Sequence, residues 1–162
     1  GGSGIILEKI LKEKPKIKIT YLDKSEKMID LAKKRLNKND IKRVVFITNE
    51  LEYFQPTIDF DFVLSYFFLD QFNDTNREII LKKIDDFLVP DGSLIIADFS
   101  PPKTVFQKFI EKLMFAFLKI STRIESGQIE ALNDEMDKYE YRRKEYLQHK
   151  KINLFAAVYQ KP

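Results

Sequence analysis

The chain contains no cysteine and only one histidine among its 162 residues. Without cysteine it can form neither a disulfide nor a thiolate metal site, and such a composition fits a reducing compartment. Its longest apolar run, VLSYFFL, is far shorter than the roughly 20 residues that a membrane-spanning helix requires. No secretory pattern leads the chain, so the sequence predicts a cytoplasmic protein without a transmembrane segment.

Long blocks of one charge are also absent. The 28 basic and 25 acidic residues give a net charge of +3 and a surface of mixed sign. Because no basic stripe or arm stands out, we expect no nucleic-acid partner, and the pattern predicts no metal site. With 44% hydrophobic residues, the chain can bury one substantial core, which favours a single domain over residues 1–162.

Helical and strand periodicities alternate along the first part of the chain. Apolar residues recur at helical spacing from Gly4 to Pro15, and KIKITYLD then alternates as a strand that ends on Asp23. Ser25 is a suitable N-cap for the next helix, which NKND should end. The predicted apolar face of that helix consists of Met28, Leu31, Ala32 and Leu36.

Three more strands follow, and their apolar composition predicts that all three are buried: RVVFIT, FDFVLSYF and SLIIADF. The turn PDG should lead into the last of them. Between the last two strands, Asn73 or Asp74 should cap a helix. Its predicted apolar face contains Ile80, Ile84, Phe87 and Leu88. This alternation predicts a doubly wound α/β fold with a parallel sheet covered on both faces.

The last sixty residues depart from this alternation. Residues 103–120 form a predicted aromatic-rich helix, and residues 128–137 a shorter helix that carries Ile129, Leu132 and Met136. YEYRRKEYL and INLFAAVY then read as two strands joined around QHKK. Such a hairpin adds an antiparallel C-terminal strand to a mostly parallel sheet and places His149 in a solvated turn.

The order of these segments resembles that of a class I S-adenosylmethionine-dependent methyltransferase. The segments are GGSG, a helix, ITYLDKSEKMIDLAKKRL, VVFITNELEYF, FDFVLSYFFLDQF, LVPDGSLIIADF and the closing hairpin. The resemblance covers nearly the whole chain and is strongest over LDKSEKMIDLAKKRL. It implies a Rossmann-like methyltransferase fold, a doubly wound, mostly parallel sheet with an antiparallel C-terminal strand. It also implies an enzyme that takes the methyl group of S-adenosylmethionine.

The resemblance also implies a cofactor site. Gly1, Gly2, Ser3 and Gly4 match the family's glycine-rich turn, where a side chain would collide with the methionine part of the cofactor. Asp23 should accept hydrogen bonds from the two ribose hydroxyls. The other implied cofactor-binding residues are Lys24 and Met28 beside the adenine, Asn49 or Glu50 near its exocyclic amine, and Ser65 and Tyr66 along the methionine arm and the acceptor entrance.

Simpler roles for the same residues stay open at this point. The GGSG tetrad is also typical of a flexible linker, and Asp23 could serve only as a helix cap. In the family a central strand precedes the glycine turn, and this sequence begins within the turn. We therefore expect upstream residues or a swapped segment to supply that strand, since its absence would leave two rows of backbone groups unpaired.

The acceptor is predicted from aromatic residues. Phe67, Phe68, Phe72 and Phe106 are weak candidates for lining the substrate. They favour a small apolar or aromatic metabolite, or a lipid-like acceptor. Most of the apolar face of residues 103–120 should pack in the core, but it is wider than one stripe needs, so part of it could wall an acceptor pocket, form a dimer contact or form a membrane-surface contact. Candidate general bases are His149, Asp70, Asp98 and a tyrosine, and none is singled out.

The same residues bear on two other functional classes. A nicotinamide-dependent oxidoreductase needs the turn G-x-G-x-x-G, and counting from Gly2 the third glycine falls on Leu7, which disfavours this class. A non-catalytic binding module with the same fold is the main alternative to an enzyme.

Overall fold

The computed structural model describes residues 1–99, 131–149 and 154–162. The chain divides into two compact units, Gly1–Gln55 and Pro56–Pro162.

The first unit contains a two-stranded parallel sheet and three helices. Its elements are α1 (Ile5–Glu13), β1 (Ile19–Asp23), α2 (Glu26–Arg35), α3 (Lys38–Ile41), β2 (Val44–Thr48) and a 3-10 turn (Leu51–Tyr53). In the sheet, Ile19 lies opposite Val44 and Asp23 opposite Thr48. The core of this unit is a cluster of Leu7, Leu11, Tyr21, Ile29, Ala32 and Val44. Helix α1 and strand β1 therefore form where the sequence predicts them.

Helix α2 begins as predicted but turns a different face to the core. The Ser25 hydroxyl caps it by accepting a hydrogen bond from the Met28 N–H at 3.4 Å. Ile29 and Ala32 are buried, whereas Met28 is half-buried and Leu31 is 39% exposed, so the predicted face is wrong at Leu31 and omits Ile29. Residues spaced by three form one stripe on a helix, and Leu31 lies outside the stripe that contains Ile29 and Ala32.

The segment NKND does more than end α2. Asn37 caps the short helix α3, its side chain accepting hydrogen bonds from the N–H groups of Asn39 and Asp40 at 2.9 Å. An asparagine side chain that hydrogen-bonds nearby backbone groups can end one helix and also serve as the N-cap of the next, which explains the additional helical turn.

The second unit contains a four-stranded mixed sheet. Its elements are β3 (Phe60–Tyr66), a 3-10 turn (Leu69–Gln71), α4 (Asp74–Phe87), β4 (Leu88–Phe99), α5 (Ala131–Lys138), β5 (Arg142–His149) and β6 (Leu154–Gln160). The strand order is β3-β4-β6-β5. Strand β3 runs parallel to β4, and β6 runs antiparallel to both β4 and β5. The predicted antiparallel closing strand is confirmed.

The helices of the second unit follow the predicted pattern with small differences. Asn73, not Asp74, caps α4, since its side chain accepts the Asn76 N–H at 2.9 Å. The buried residues of α4 are Arg77, Ile80, Leu81, Ile84 and Phe87. Leu88 belongs to strand β4 instead. The predicted helix over residues 103–120 and Ile129 lie outside the described residues.

The predicted burial of the central strands is wrong for β2 and β3. Val45 on β2 and Phe62 on β3 are each 61% exposed, and Leu64 is 40% exposed. Side chains of a strand project to the two faces of its sheet, so their burial depends on what packs on each face, and an apolar composition alone does not guarantee that cover.

Strand β4 is longer than predicted because PDG lies inside it. Asp91 adopts φ 62°, and the pairing register with β3 shifts between Phe60 and Phe62, which accommodates the irregular residues as a bulge. His149 ends β5 as an exposed residue rather than lying in the hairpin turn. All eight residues of β5 are exposed. No helix in the described ranges has both the length and the apolar composition to cross a membrane.

Candidate cofactor site

The glycine turn contacts the carboxyl end of β1 through Asp23. The Gly2 N–H donates a hydrogen bond to Asp23 Oδ2 at 2.6 Å, and the Ser25 N–H donates to Asp23 Oδ1 at 2.8 Å. Each carboxylate oxygen offers about two acceptor positions, so one on each oxygen remains for another donor. The tetrad GGSG is thus tied to the strand end, unlike a trailing linker.

Glycine is favoured at three positions of the turn for different structural reasons. Gly2 and Gly4 adopt φ 92° and φ 83°, in the left-handed region that favours glycine. A Cβ on Gly1 would overlap the Asp23 carboxylate, and a Cβ on Gly4 would lie 2.7 Å from the Ala32 Cα. A Cβ on Gly2 would meet nothing within 4 Å. Gly2 therefore faces open space beside the Asp23 carboxylate.

Two side chains hold the carbonyl groups of the turn. The Tyr21 hydroxyl donates to the Gly2 carbonyl at 2.9 Å, and Arg35 Nε donates to the Ser3 carbonyl at 2.7 Å. Burial, together with the negative charge of Asp23, raises the pKa of Tyr21 to about 12. The hydroxyl therefore keeps its proton, and its role as a donor, at neutral pH.

The other predicted residues of the first unit lie around the same strand ends. The Asn49 N–H donates to the Asp23 carbonyl at 3.2 Å, and the Asn49 side chain accepts the Glu50 N–H at 2.9 Å. Lys24 and Glu50 are exposed, whereas Met28 is half-buried. The structure brings Asn49 to the end of β1, and the choice between Asn49 and Glu50 as an adenine contact stays a prediction.

In the second unit, Ser65 and Tyr66 end strand β3. Ser65 is 4% exposed, and its hydroxyl has no hydrogen-bond partner in the described part of the chain. Tyr66 is 38% exposed. Their predicted roles toward a cofactor and an acceptor stay predictions.

The turn after β3 is held tightly by the end of β4. The Phe67 N–H donates to the Ala97 carbonyl at 2.8 Å, and the Leu69 N–H donates to Asp98 Oδ2 at 3.1 Å. Phe67 adopts φ 49°, which is rare for a bulky residue, and the Gln71 side chain donates to its carbonyl at 2.8 Å. Asp98, a candidate base in the sequence, is 1% exposed and serves this turn as an acceptor.

Aromatic rings cluster at the same turn. Phe68 and Phe72 meet edge to face with ring centroids 4.9 Å apart, and Tyr66 and Phe67 do so at 4.4 Å. The three phenylalanines, Phe67, Phe68 and Phe72, are half-buried. Phe106 and the side chain of Asp70 lie outside the described residues.

The second unit contains a buried ion pair that the sequence does not predict. Arg77 on α4 is fully buried and donates through Nε and Nη2 to both carboxylate oxygens of Glu135 on α5, each at 2.9 Å. The only signal in the sequence is the position of Arg77 three residues before Ile80, on the core face of α4. Over the described ranges, no group of histidine, aspartate and glutamate side chains is arranged to hold a metal ion.

The sequence matches known methyltransferases. Residues 1–94, more than half of the chain, match the profile of a family described as a methyltransferase domain. A demethylmenaquinone methyltransferase of Thermotoga maritima is 29% identical over 118 residues, which cover 73% of this chain and 48% of that protein. A malonyl-[acyl-carrier protein] O-methyltransferase of Priestia megaterium is 33% identical over 98 residues, which cover 60% of this chain and 34% of that protein. The chain thus spans about half or less of the length of these curated relatives.

Solved methyltransferase structures share the fold. An O-methyltransferase family protein from Burkholderia thailandensis superposes with a TM-score of 0.79 at 15% identity, covering 99% of this chain and 48% of that one. The N-methyltransferase NodS of Bradyrhizobium japonicum, in complex with S-adenosylhomocysteine, superposes with a TM-score of 0.71 at 14% identity, covering 99% and 74%. Similarity at this level of identity shows a common fold. With the profile match over residues 1–94, it establishes that the chain belongs to the methyltransferase domain family.

Proposed function

We propose that this chain binds S-adenosylmethionine and is part of an enzyme that transfers its methyl group to a small apolar or aromatic acceptor. The observation that carries the proposal is the pairing of Gly2 with Asp23 at the carboxyl end of β1, beside open space. Ligands of α/β folds bind at this edge of the sheet. Membership of the family and the fold shared with a methyltransferase solved with S-adenosylhomocysteine support the choice of cofactor.

The residues of the first unit fit the adenosyl part of this cofactor. Asp23 retains one acceptor position on each carboxylate oxygen, which matches the two neighbouring hydroxyls of a ribose. Gly2 carries no side chain where the ligand would approach. Met28 would supply an apolar contact to the adenine and Lys24 would flank it, while Asn49 or Glu50 would accept a hydrogen bond from the exocyclic amine.

Methyl transfer from S-adenosylmethionine requires little of the protein beyond alignment of the reactants. When bound, S-adenosylmethionine supplies a methyl group that its sulfonium sulfur has already activated. The work left to the chain is to fix the cofactor in one orientation, align the acceptor and exclude water. Asp98 already accepts the Leu69 N–H in a buried position, so a structural role accounts for it and no general base is assigned.

The second unit supports an apolar acceptor. Phe67, Phe68 and Phe72 follow the carboxyl end of β3 in a turn that Asp98 and Gln71 hold in place. The Thermotoga maritima relative is named for demethylmenaquinone, a quinone, which is an acceptor of this class. The Priestia megaterium relative is named for malonyl-[acyl-carrier protein], which is a polar alternative.

Calorimetric titration with S-adenosylhomocysteine tests cofactor binding. Asp23→Ala should weaken binding roughly ten- to a hundredfold, because hydrogen bonds to a charged acceptor contribute about 1.5–3 kcal/mol. Asp30→Ala is the matched control, since Asp30 is exposed on α2 of the same unit. Thermal denaturation of both variants separates a loss of affinity from a loss of fold. Failure of the unmodified protein to bind would contradict the proposal.

A methyl-transfer assay then tests the acceptor. We expect demethylmenaquinone and small aromatic hydroxyl compounds to be methylated in preference to malonyl thioesters. Faster transfer to the malonyl thioester would overturn the apolar acceptor while leaving cofactor binding intact. Binding without transfer to any acceptor would favour a non-catalytic module.

A further inference from the structure

We infer that Tyr21 and Arg35 are positioning residues that fix the glycine turn in its ligand-binding shape, with Tyr21 the more important of the two. The inference rests on the proposed function, because it concerns the same cofactor site. It goes further by assigning a role in ligand binding to two side chains whose polar groups hydrogen-bond the carbonyls of the turn.

Strand β1 holds Gly2 by both of its backbone polar groups. Asp23 accepts from the Gly2 N–H at 2.6 Å, and Tyr21 donates to the Gly2 carbonyl at 2.9 Å. Tyr21 and Asp23 are two residues apart on a strand, so their side chains project from the same face of the sheet. Two side chains on one face of β1 therefore hydrogen-bond both the N–H and the carbonyl of a single glycine.

The turn needs such external contacts because its own residues restrict it little. Three of its four residues are glycine, the residue that loses most conformational freedom on ordering. Gly2 and Gly4 also adopt positive φ angles. Without the two carbonyl contacts, the turn would sample other conformations, and a ligand would have to bind the fraction that retains the open space at Gly2.

The ring of Tyr21 is itself fixed by packing. Tyr21 is 9% exposed and belongs to the core cluster with Leu7 and Ile29. Phe46 on β2 meets its ring edge to face at a centroid distance of 5.8 Å. A phenol anchored in a core can place its hydroxyl with little loss of side-chain freedom, which suits a positioning role.

Arg35 gives a weaker contact of the same kind. Its Nε donates to the Ser3 carbonyl at 2.7 Å, and its Nη1 lies 4.0 Å from Glu8 Oε2. The Arg35 side chain is 41% exposed, so water competes for the guanidinium. We therefore expect the removal of Arg35 to weaken cofactor binding less than the removal of the Tyr21 hydroxyl.

The test compares two tyrosine variants of the full chain. Tyr21→Phe removes the hydroxyl and keeps the ring, and we expect the Kd for S-adenosylhomocysteine to rise roughly three- to tenfold. Tyr141→Phe is the matched control, because Tyr141 is 6% exposed and its hydroxyl donates to Asp85 at 2.8 Å in the other unit. This control should lower the melting temperature and leave the Kd unchanged. Arg35→Met should raise the Kd by a smaller factor than Tyr21→Phe.

A second readout reports the turn directly. The chain has only five glycines, so selective 15N-glycine labelling gives a short list of amide signals. Tyr21→Phe should shift the signals of Gly2 and Gly4 and leave that of Gly92, on β4, in place. A purely structural role of Tyr21 in the core would not single out these amides together with the Kd.

The outcomes distinguish a failure of cofactor binding from a failure of the positioning role. If the unmodified protein binds no S-adenosylhomocysteine, the proposed function fails and the inference fails with it. If it binds, and Tyr21→Phe keeps the same Kd or Tyr141→Phe raises it equally, the positioning role alone is overturned.

Discussion

Replacement of Gly4 by alanine would measure how closely the glycine turn fits the helix beside it. Gly4 adopts φ 83°, a left-handed conformation that costs an alanine about 1–2 kcal/mol. The added Cβ would also lie 2.7 Å from the Ala32 Cα and 2.8 Å from its Cβ. Because the Ala32 Cα belongs to the backbone of α2, overpacking adds about 1–3 kcal/mol. We expect a total loss of about 2–5 kcal/mol in the free energy of unfolding.

Gly2→Ala is the matched control for this experiment. Gly2 adopts φ 92°, so an alanine there has a similar conformational cost of about 1–2 kcal/mol. Its Cβ would meet nothing within 4 Å, so no overpacking is expected. The difference between the two variants therefore isolates the contact with α2. Gly2→Ala should instead weaken S-adenosylhomocysteine binding, because its methyl group occupies the open space beside Asp23.

Urea denaturation of the full chain without ligand is the assay. If Gly4→Ala destabilises no more than Gly2→Ala, close packing of the turn on α2 does not limit residue 4. Ala32→Gly, made alone and in the Gly4→Ala background, provides an internal check in which the cost of a glycine in the helix cancels. It removes the Cβ of residue 32 and leaves its Cα, so Gly4→Ala should cost less in the Ala32→Gly background but still cost more than Gly2→Ala does in the unmodified chain.

Three further predictions concern stability. Asn73→Ala should lower the free energy of unfolding by about 1 kcal/mol in urea denaturation, because the cap on the Asn76 N–H is lost. In the same assay Glu135→Ala should cost about 1–3 kcal/mol, because the buried Arg77 loses its two-point partner and keeps only the Asp74 carboxylate, 2.8 Å from its Nη2. Arg77→Met combined with Glu135→Met should recover most of that loss. Burial raises the pKa of Tyr21 to about 12, so the folded protein keeps a proton that an unfolded tyrosine releases near pH 10. The stability that Tyr21 contributes is thus lost as the pH rises from about 10 to 12, and the stability gap to Tyr21→Phe should narrow by at most about 2 kcal/mol over that range.

Each of these three stability predictions has a result that would contradict it. If Asn73→Ala lowers the free energy of unfolding no more than Asn39→Ala does at another exposed asparagine, the Asn73 cap does not stabilise α4. A loss from Glu135→Ala no larger than that from exposed Glu145→Ala would argue against the buried pair. Parallel stability curves for the unmodified protein and Tyr21→Phe above pH 10 would argue against the raised pKa.

Local chemistry explains what could be predicted from sequence. A serine before an amphipathic run predicts a capped helix, and Ser25 caps α2. A strand that ends in a carboxylate predicts an acceptor at the edge of a sheet, and Asp23 lies there with its oxygens engaged by backbone N–H groups. These features depend on residues within a few positions of each other, or on one strand and the turn beside it.

The features that escaped prediction depend on contacts distant in sequence. Phe62 is apolar, yet it is 61% exposed, and whether such a side chain is covered depends on what packs on its face of the sheet. The pairing of Arg77 with Glu135 joins residues 58 positions apart. The hydrogen bond from the Tyr21 hydroxyl to the Gly2 carbonyl joins residues 19 positions apart, and a tyrosine within an alternating strand does not predict it.

The terminal position of β5 bears on how the protein behaves at high concentration. This strand lies at one end of the four-stranded sheet, and its outer backbone groups are a potential template on which further chains could stack. Arg142, Arg143 and Lys144 open it with three consecutive cations, and the Arg143 guanidinium lies 5.2 Å from the Tyr146 ring centroid. Two identical strands that stack parallel and in register, as strands do in a fibril, would place these charges next to one another. Mutual repulsion at this rim therefore discourages fibrous growth, and neutralising the three cations should make the protein aggregate more readily.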